Sequence, residues 1–265
     1  MSISLLLEPV RDATLTDPAR LQWLQAWLVN LLLIGLAQRL PLLTRSGWLH
    51  AGALGTILWG CLGPRAWFAV VLYLALGSAV TRLGFRRKQA LGLAEGRGGR
   101  RGPENVWGSA ATGALLALAS QLLPLAWRPV LLVGFAASFA AKLGDTFGSE
   151  VGKRFGRHCV LITSLRPVAP GTDGAISLEG TAASLLGSGL MAALMLALGL
   201  LPRWPLVALV TAVGLVATLL ESWLGATLQG RIAWLSNELV NGLQTAVAAA
   251  LAIGWLACSG WPAAA

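Results

Sequence analysis

The chain contains about eight hydrophobic stretches, and they restrict its possible folds more than any other feature. A helix crosses the hydrocarbon core of a bilayer with about 20 consecutive apolar residues. Of the 265 residues, 56% are hydrophobic and 12% are charged, whereas soluble domains carry about 25% charged residues. Transmembrane β-barrels alternate apolar and polar residues, and these stretches do not. The sequence therefore predicts an all-α fold, a polytopic transmembrane helical bundle of about eight spans, with seven to nine as the range.

The hydrophobic stretches are separated by three long polar segments and by several tight connections. We expect helices at residues 21–37, 48–62, 66–83, 106–123, 129–147, 180–201, 205–224 and 238–258. The polar segments are residues 84–105, 148–179 and 225–237. An eight-span topology places all three on the same side of the membrane. The prediction is one integral membrane domain over residues 1–265, with these three segments forming its active face.

The net charge of +9 follows the positive-inside rule and does not indicate a nucleic acid partner. Fifteen of the 20 Lys and Arg residues fall on the side of the three polar segments, and five fall on the other side. Such a bias places the Lys- and Arg-rich side in the cytoplasm. We expect an integral protein of a plasma or thylakoid membrane with cytoplasmic active loops. The oligomeric state stays open, with a homo-oligomer among the options.

Carboxylates at or beside the helix ends are the best indication of function; they are Asp145, Glu150, Glu179, Glu221 and Glu238. A charged side chain at the centre of a transmembrane helix costs roughly 2.5–3.5 kcal/mol on insertion scales. Asp145 and Glu150 lie about 140° apart on an ideal helix, so both can face one ion only if the helix loosens near Gly148. Carboxylate oxygens at this position suit Mg²⁺, which binds through one or two carboxylates plus phosphates. The alternative is a Lys142–Asp145 ion pair that only neutralises buried charge.

Two glycine-containing segments are candidate phosphate sites. In the first, Gly171, Thr172, Asp173 and Gly174, the glycines permit positive φ, and successive backbone N–H groups can form an anion-binding nest near the start of the next helix. The second, residues 96–105, alternates glycine with arginine and ends at Asn105. This flexible loop could wrap a polyphosphate through Arg100 and Arg101. An ordinary turn and a solvated, topology-setting loop are the respective alternatives.

Other polar side chains follow helical stripes beside these segments. They are Ser149, Glu221, Gln229, Asn237, Glu238 and Asn241. Ser149 shares a helix face with Lys142 and Asp145 because their spacing is i, i+3 and i+7. Polar stripes line binding sites, but they also act as contacts between packed helices. Both interpretations stay open for these residues.

Four motifs carry a family resemblance. They are DTFGSEVG at 145–152, PGTDGAISLEG at 170–180, ESWLGATLQ at 221–229 and WLSNELVN at 234–241. In this order they resemble the phytyl-phosphate kinase family, integral membrane proteins of plants, cyanobacteria and other microbes, over about residues 86–257. The resemblance implies transfer of the terminal phosphate of CTP, or a similar triphosphate, to a prenyl monophosphate. In plants the product, phytyl diphosphate, feeds tocopherol and phylloquinone synthesis.

Together, these observations predict a kinase site on the active face. Asp145 and Glu150, joined by Glu179 as catalytic carboxylates, hold Mg²⁺ on the triphosphate. The segment 171–174 and Arg100 or Arg101 cradle its phosphates, with Asn105 beside them. Lys153 or Arg166 orients the phosphate of the prenyl lipid, and the apolar helices hold its tail.

Three other functions compete with this interpretation. A prenyl-alcohol (phytol) kinase would need a base for the hydroxyl proton, and one of the carboxylates could serve. A lipid-phosphate cytidylyltransferase would release pyrophosphate instead of a nucleoside diphosphate. An ion-coupled secondary transporter would use intramembrane carboxylates as ion sites, but such sites typically lie near the midplane on broken helices.

Overall fold

The computed structural model describes residues 17–260, and helices dominate this part of the chain. The helices are α1 (Pro18–Ala37), α2 (Arg45–Leu62), α3 (Pro64–Arg82), α4 (Phe85–Ala90), α5 (Pro103–Leu122), α6 (Arg128–Phe155), α7 (Leu178–Ala197), α8 (Trp204–Thr227) and α9 (Asn237–Cys258). Two 3-10 turns, Arg97–Gly99 and Leu125–Trp127, precede α5 and α6. The all-α class predicted from the hydrophobic stretches is confirmed.

All of these helices except the short α4 contain 18 residues or more. In the described part of the chain, six helical stretches are long and apolar enough to cross a membrane; they involve α1, α3, α6, α7, α8 and α9. Both α2 and α5 are long enough but fall short in apolar character. The transmembrane bundle is therefore confirmed, while the number of eight spans stays a prediction.

Helix α6 is the centre of the bundle. It contacts α3, α5, α7, α8 and α9, and its residues 133–144 are all buried. Four alanines within this stretch keep the helix thin, so that neighbouring helices approach closely. Phe135 and Phe139 fill the larger spaces, with ring centroids 5.0 Å apart. Because α6 is enclosed, any charge it carries must find partners on the helices around it.

Small residues set a close crossing between α6 and α7. A Cβ added at Gly144 would lie 2.9 Å from the backbone oxygen of Ser184, and one added at Gly148 would lie 3.1 Å from that of Gly180. The contact at Gly144 is closer than real Cβ atoms come, and the one at Gly148 is tighter than most, so the two glycines allow the helices to approach this closely. The crossing places the first turn of α7 directly beside the last turns of α6.

The second polar segment, residues 148–179, differs from its prediction as a loop. Helix α6 continues without interruption through Gly148 and ends at Phe155, whereas we predicted an end at residue 147. Two of the added residues are glycines, which disfavour a helix, but Glu150, Lys153 and Arg154 favour one, and Glu150 and Lys153 form an i, i+3 pair of the kind that stabilises a helix. Hydropathy alone does not register these local preferences.

The rest of this segment folds back as a short hairpin. Strand β1 (Val160–Leu161) pairs antiparallel with β2 (Ala175–Ile176). Ser177 then caps α7 by accepting a hydrogen bond of 3.1 Å from the N–H of Gly180. The hairpin therefore returns the glycine-containing segment 171–174 to the end of α6.

Candidate functional site

A polar cavity of about 460 Å³ opens where the three polar segments meet. Its walls come from residues 95–102 before α5, which we call the arginine loop, from α6, from the turn before α7, and from the facing ends of α8 and α9. The predicted site residues that line it are Arg100, Arg101, Asn105, Asp145, Ser149, Glu150, Lys153, Gly171, Thr172, Asp173, Gly174, Glu221, Asn237, Glu238 and Asn241. The structure brings these distant segments together around one cavity, and their role in binding or catalysis stays a prediction.

Three predicted site residues do not line the cavity. Arg166 lies exposed on the hairpin beyond β1, and Gln229 follows the end of α8. Glu179 precedes the lining residue Gly180 by one position, which turns it by about 100° around the helix axis. Glu179 instead lies near Cys159, where burial first and this carboxylate second raise the pKa of the thiol.

The floor of the cavity is a buried charge cluster centred on Lys142. Its ammonium pairs with Asp145 one turn along α6 and donates a hydrogen bond of 2.9 Å to Asn241 Oδ1 on α9. Glu221 on α8 interacts electrostatically with both Lys142 and Asp145. The predicted Lys142–Asp145 pair is therefore present, and it lies inside the cavity rather than away from it. Asp145 keeps partial access to the cavity, with 14% of its side chain exposed.

Glu150 has different surroundings from Asp145. Its carboxylate pairs with Lys88 of α4, and the two side chains are 1% and 2% exposed. The ammonium of Lys153 lies 3.6 Å from the other carboxylate oxygen of Glu150, Oε1. The loosening of α6 at Gly148 that would let both carboxylates face one ion is absent, because the helix is continuous there. Glu150 therefore faces the cavity already neutralised by lysines.

The arginine loop is fastened to the bundle by its backbone. The N–H of Arg101 donates to Leu42 O at 3.1 Å, and Arg101 O accepts from Thr44 N at 3.0 Å. The guanidinium of Arg101 reaches inward to Tyr73, whose hydroxyl accepts a hydrogen bond of 3.2 Å. No carboxylate lies within ion-pair distance of Arg101 among residues 17–260. Arg101 therefore presents an uncompensated positive charge to the cavity.

Asn105 joins this loop to α9. Its Oδ1 accepts a hydrogen bond of 3.0 Å from the N–H of Gly102 and another of 3.0 Å from Arg97. Its Nδ2 donates to Glu238 Oε1 at 3.3 Å. Asn105 thus caps the start of α5 and holds Glu238 at the cavity edge.

The turn at residues 171–174 has the backbone shape expected of an anion-binding segment. Gly171 and Gly174 adopt φ values of 84° and 77°, which favour glycine. A Cβ at Gly174 would lie 2.7 Å from Ser222 O on α8, so the turn packs tightly onto that helix. The N–H of Thr172 already donates to Ala169 O at 3.2 Å, which leaves fewer amides for an anion than the sequence alone indicates.

The cavity offers oxygen ligands for a cation and cationic side chains for phosphates. In the described residues, no group of three or more His, Cys, Asp or Glu side chains is placed to hold a metal. A Mg²⁺ ion held through one or two carboxylates and substrate phosphates does not need such a group. Asp145 with Glu221 has the right chemistry for that arrangement.

Several lining or supporting residues were missed by the sequence reasoning. In the sequence, Lys88 contributes only to the excess of positive charge on one side of the membrane. It is the third of three consecutive basic residues in the run Phe85–Ala90, and nothing in that run indicates that it is buried. Tyr73 lies in an apolar helix without any polar neighbour in sequence. Glu95, Thr81 and Ser109 also line the cavity, and their signals are those of ordinary loop or helix residues.

The fold and the cavity define a class: a polytopic helical membrane protein with a charged, oxygen-rich site at one end of its bundle. A family model described as "Integral membrane protein DUF92" matches residues 28–249. The chain therefore belongs to this DUF92 family, and the family resemblance carried by its motifs is confirmed.

Relatives from a cyanobacterium, a plant and an archaeon share most of the chain. The chain is 48% identical to "Uncharacterized membrane protein sll0875" of Synechocystis, over 88% of this chain and 90% of the relative. It is 37% identical to "Protein VTE6, chloroplastic" of Arabidopsis thaliana, over 87% of this chain and 71% of the relative. It is 31% identical to "Uncharacterized membrane protein MJ0933" of Methanocaldococcus jannaschii, over 77% of this chain and 82% of the relative. No solved structure matches the chain.

Proposed function

We propose that the protein is a nucleotide-dependent kinase that phosphorylates a prenyl monophosphate, such as phytyl phosphate, to the diphosphate. The observation that carries this proposal is the cavity itself, which brings carboxylates, an unpaired arginine and a glycine turn to one end of an apolar bundle. A prenyl phosphate has its tail in the bilayer and its charged head at such a position. Its head group and a triphosphate need these same side chains.

The chemistry requires positioning and charge neutralisation more than acid–base catalysis. A phosphate monoester has a second pKa of about 6, so the acceptor oxygen is largely ionised at neutral pH. That oxygen forms a bond to the γ-phosphorus of the nucleotide, and the bond from this phosphorus to the β–γ bridging oxygen breaks. The nucleoside diphosphate leaves with the electron pair, and no proton must be removed. Electrostatic stabilisation then dominates, as in other phosphoryl transfers.

Each cavity wall has a role in this proposal. Arg101, with Arg100 beside it, binds the polyphosphate, and the turn at 171–174 adds backbone donors. Lys153 orients the acceptor phosphate. Mg²⁺, when bound, would supply positive charge that offsets the charge of the phosphates. Asp145 is the proposed ligand, and we add Glu221 from the facing helix because Glu150 is already paired with lysines.

The family resemblance favours CTP as donor and a role in tocopherol synthesis within this proposal, and the plant relative is chloroplastic. Those finer assignments rest on the resemblance. The cavity chemistry supports a triphosphate and a lipid phosphate without selecting the base.

Product identification tests the proposal directly. The purified protein in detergent is incubated with Mg²⁺, each of the four nucleoside triphosphates, and either phytyl phosphate or phytol. We expect phytyl diphosphate and a nucleoside diphosphate from phytyl phosphate. Phytyl phosphate formed from phytol would indicate an alcohol kinase, and pyrophosphate release would indicate a cytidylyltransferase. Absence of any nucleotide-dependent lipid product, together with solute uptake into sealed proteoliposomes, would support a transporter and overturn the proposal.

A further inference from the structure

Four alternating charges connect α4, α6 and the arginine loop. Lys88 of α4 pairs with Glu150, Glu150 lies 3.6 Å from Lys153, and Lys153 lies 3.3 Å from Glu95. Glu150, Lys153 and Glu95 line the cavity, while Lys88 lies behind them. Lys88 therefore cannot touch a ligand in the cavity, but it pairs with Glu150, which lines the cavity.

Lys88 also fixes the segment that leads into the arginine loop. Its ammonium donates a hydrogen bond of 2.8 Å to Thr81 O at the end of α3, and its carbonyl accepts one of 2.8 Å from the N–H of Leu93. The first contact attaches α4 to the end of α3, and the second closes the turn that follows α4. Most of the residues from Glu95 to Arg101 line the cavity.

The burial of this ion pair is not explained by stability. Removing two charges from water is costly, and replacing a buried pair by apolar residues of similar size is often neutral or stabilising. An apolar contact between α4 and α6 would hold the helix equally well. It would not, however, leave Glu150 charged beside Lys153, and it would not keep the ammonium of Lys153 directed along the cavity wall.

We propose that Lys88 is a positioning residue for phosphate binding, acting through Glu150 on Lys153 and through α4 on the arginine loop. The inference rests on the proposed function. Lys88 pairs with Oε2 of Glu150, and Oε1 of the same carboxylate, 3.6 Å from the Lys153 ammonium, holds that ammonium at the cavity wall where it can meet a phosphate. Glu95 is the partner that Lys153 exchanges for the ligand, because Glu95 is 53% exposed whereas Glu150 is 2% exposed.

Tripolyphosphate binding to the purified protein in detergent tests this role independently of the nucleotide base. Lys88→Met should weaken binding about 10- to 100-fold, the range expected when a charged hydrogen-bonding group is lost. The matched control is Arg87→Met, which removes the same charge from an exposed position on α4 and should change affinity by less than about threefold. The loss should be equal with Mg²⁺ and with EDTA, since Lys88 does not act through a metal. A purely structural role predicts lower thermal stability with unchanged affinity.

A second variant keeps the test decisive if Lys88→Met fails to fold. Lys88→Met/Glu150→Leu replaces the whole buried pair, and it should recover thermal stability without recovering tripolyphosphate affinity. Wild-type affinity in either variant overturns the proposal. Loss of folding in both also overturns it, because the pair would then be needed for the fold itself. If the wild-type protein binds tripolyphosphate but forms no lipid product, the kinase assignment fails and the Lys88 result still stands.

Discussion

Lys142 on α6 donates a hydrogen bond of 2.9 Å to Asn241 on α9, deep enough in the bundle that both residues are buried. The same ammonium pairs with Asp145. One lysine thus connects two helices and compensates the carboxylate that faces the cavity. This arrangement allows a carboxylate to remain charged in an apolar bundle and still meet a substrate.

We expect Asp145→Asn to abolish phosphoryl transfer while the protein still folds in detergent. The amide fills the same volume and can still accept a hydrogen bond from Lys142, so packing around α6 is retained. A neutral amide, however, cannot replace a carboxylate ligand for Mg²⁺. Turnover is measured as lipid product formed per protein, and folding is measured by monodispersity and the melting temperature. Near-normal turnover would remove Asp145 from the site.

The control for Asp145 is its lysine partner. Lys142→Met leaves a buried carboxylate without its partner, and breaking a buried pair typically costs about 3–5 kcal/mol. The double variant Lys142→Met/Asp145→Asn should recover much of that loss, since neither charge is then present. A double-mutant cycle with no coupling would show that the two groups do not interact in the native state.

Arg101 and Arg100 are adjacent in sequence but differ in setting, and their lysine variants should differ as well. Arg101 is held by two backbone hydrogen bonds and by Tyr73, whereas Arg100 is exposed. A lysine cannot present the planar, bidentate donor pair of a guanidinium. We expect Arg101→Lys to weaken tripolyphosphate binding about tenfold or more, and Arg100→Lys to weaken it much less. The opposite ranking would contradict an inward role for Arg101.

The helical bundle and part of the site followed from the sequence for identifiable reasons. Hydropathy over 20-residue windows locates the apolar helices because bilayer thickness fixes their length. Asp145, Glu221 and Glu238 were predicted at the cavity because each lies at the end of such a helix. The segments around them were predicted to lie on one side of the membrane, because they are alternate connections of the predicted eight-span topology.

The remaining features depend on the direction in which individual side chains point, and the sequence does not specify this direction. Glu179 and Gly180 are neighbours, and only helical phase decides that Gly180 lines the cavity. Arg166 points away because the β1–β2 pairing fixes the hairpin, and two-residue strands have no recognisable pattern. Lys88 is buried by a partner 62 residues away, and its local run resembles any cytoplasmic basic loop.

Cys159 provides a reporter of cavity occupancy. Burial raises the pKa of its thiol, and the Glu179 carboxylate adds to this effect. A higher pKa means a smaller thiolate fraction at pH 7, and the thiolate is the reactive species. In a variant that keeps only this cysteine (Cys61→Ala/Cys258→Ala), maleimide labelling should be slower than for an ordinary exposed thiol and should accelerate as the pH rises. Because Cys159 lines the cavity, tripolyphosphate should slow it further.

Labelling of Cys159 as fast at pH 7 as that of a free thiol would contradict the raised pKa. Labelling that is insensitive to saturating tripolyphosphate would mean that the ligand does not occupy this end of the cavity. The exposed Cys258, retained alone in a parallel variant, controls for a direct effect of the ligand on the reagent.

Gly144 lies at the close crossing of α6 and α7. A methyl group there would lie 2.9 Å from the backbone oxygen of Ser184, and a backbone atom cannot move aside as a side chain can. Overpacking of this kind typically costs about 1–3 kcal/mol. Gly144→Ala should therefore lower stability in detergent, measured by thermal or SDS unfolding. It should also lower turnover, because α7 and the turn before it would shift away from Asp145 on α6. The matched control is Gly254→Ala on α9, where nothing lies within 4 Å of the added carbon. Alanine favours a helix by roughly 1 kcal/mol relative to glycine, so this variant should be at least as stable as the wild type. Equal behaviour of the two variants would mean that the α6–α7 crossing is not the close contact that positions the cavity.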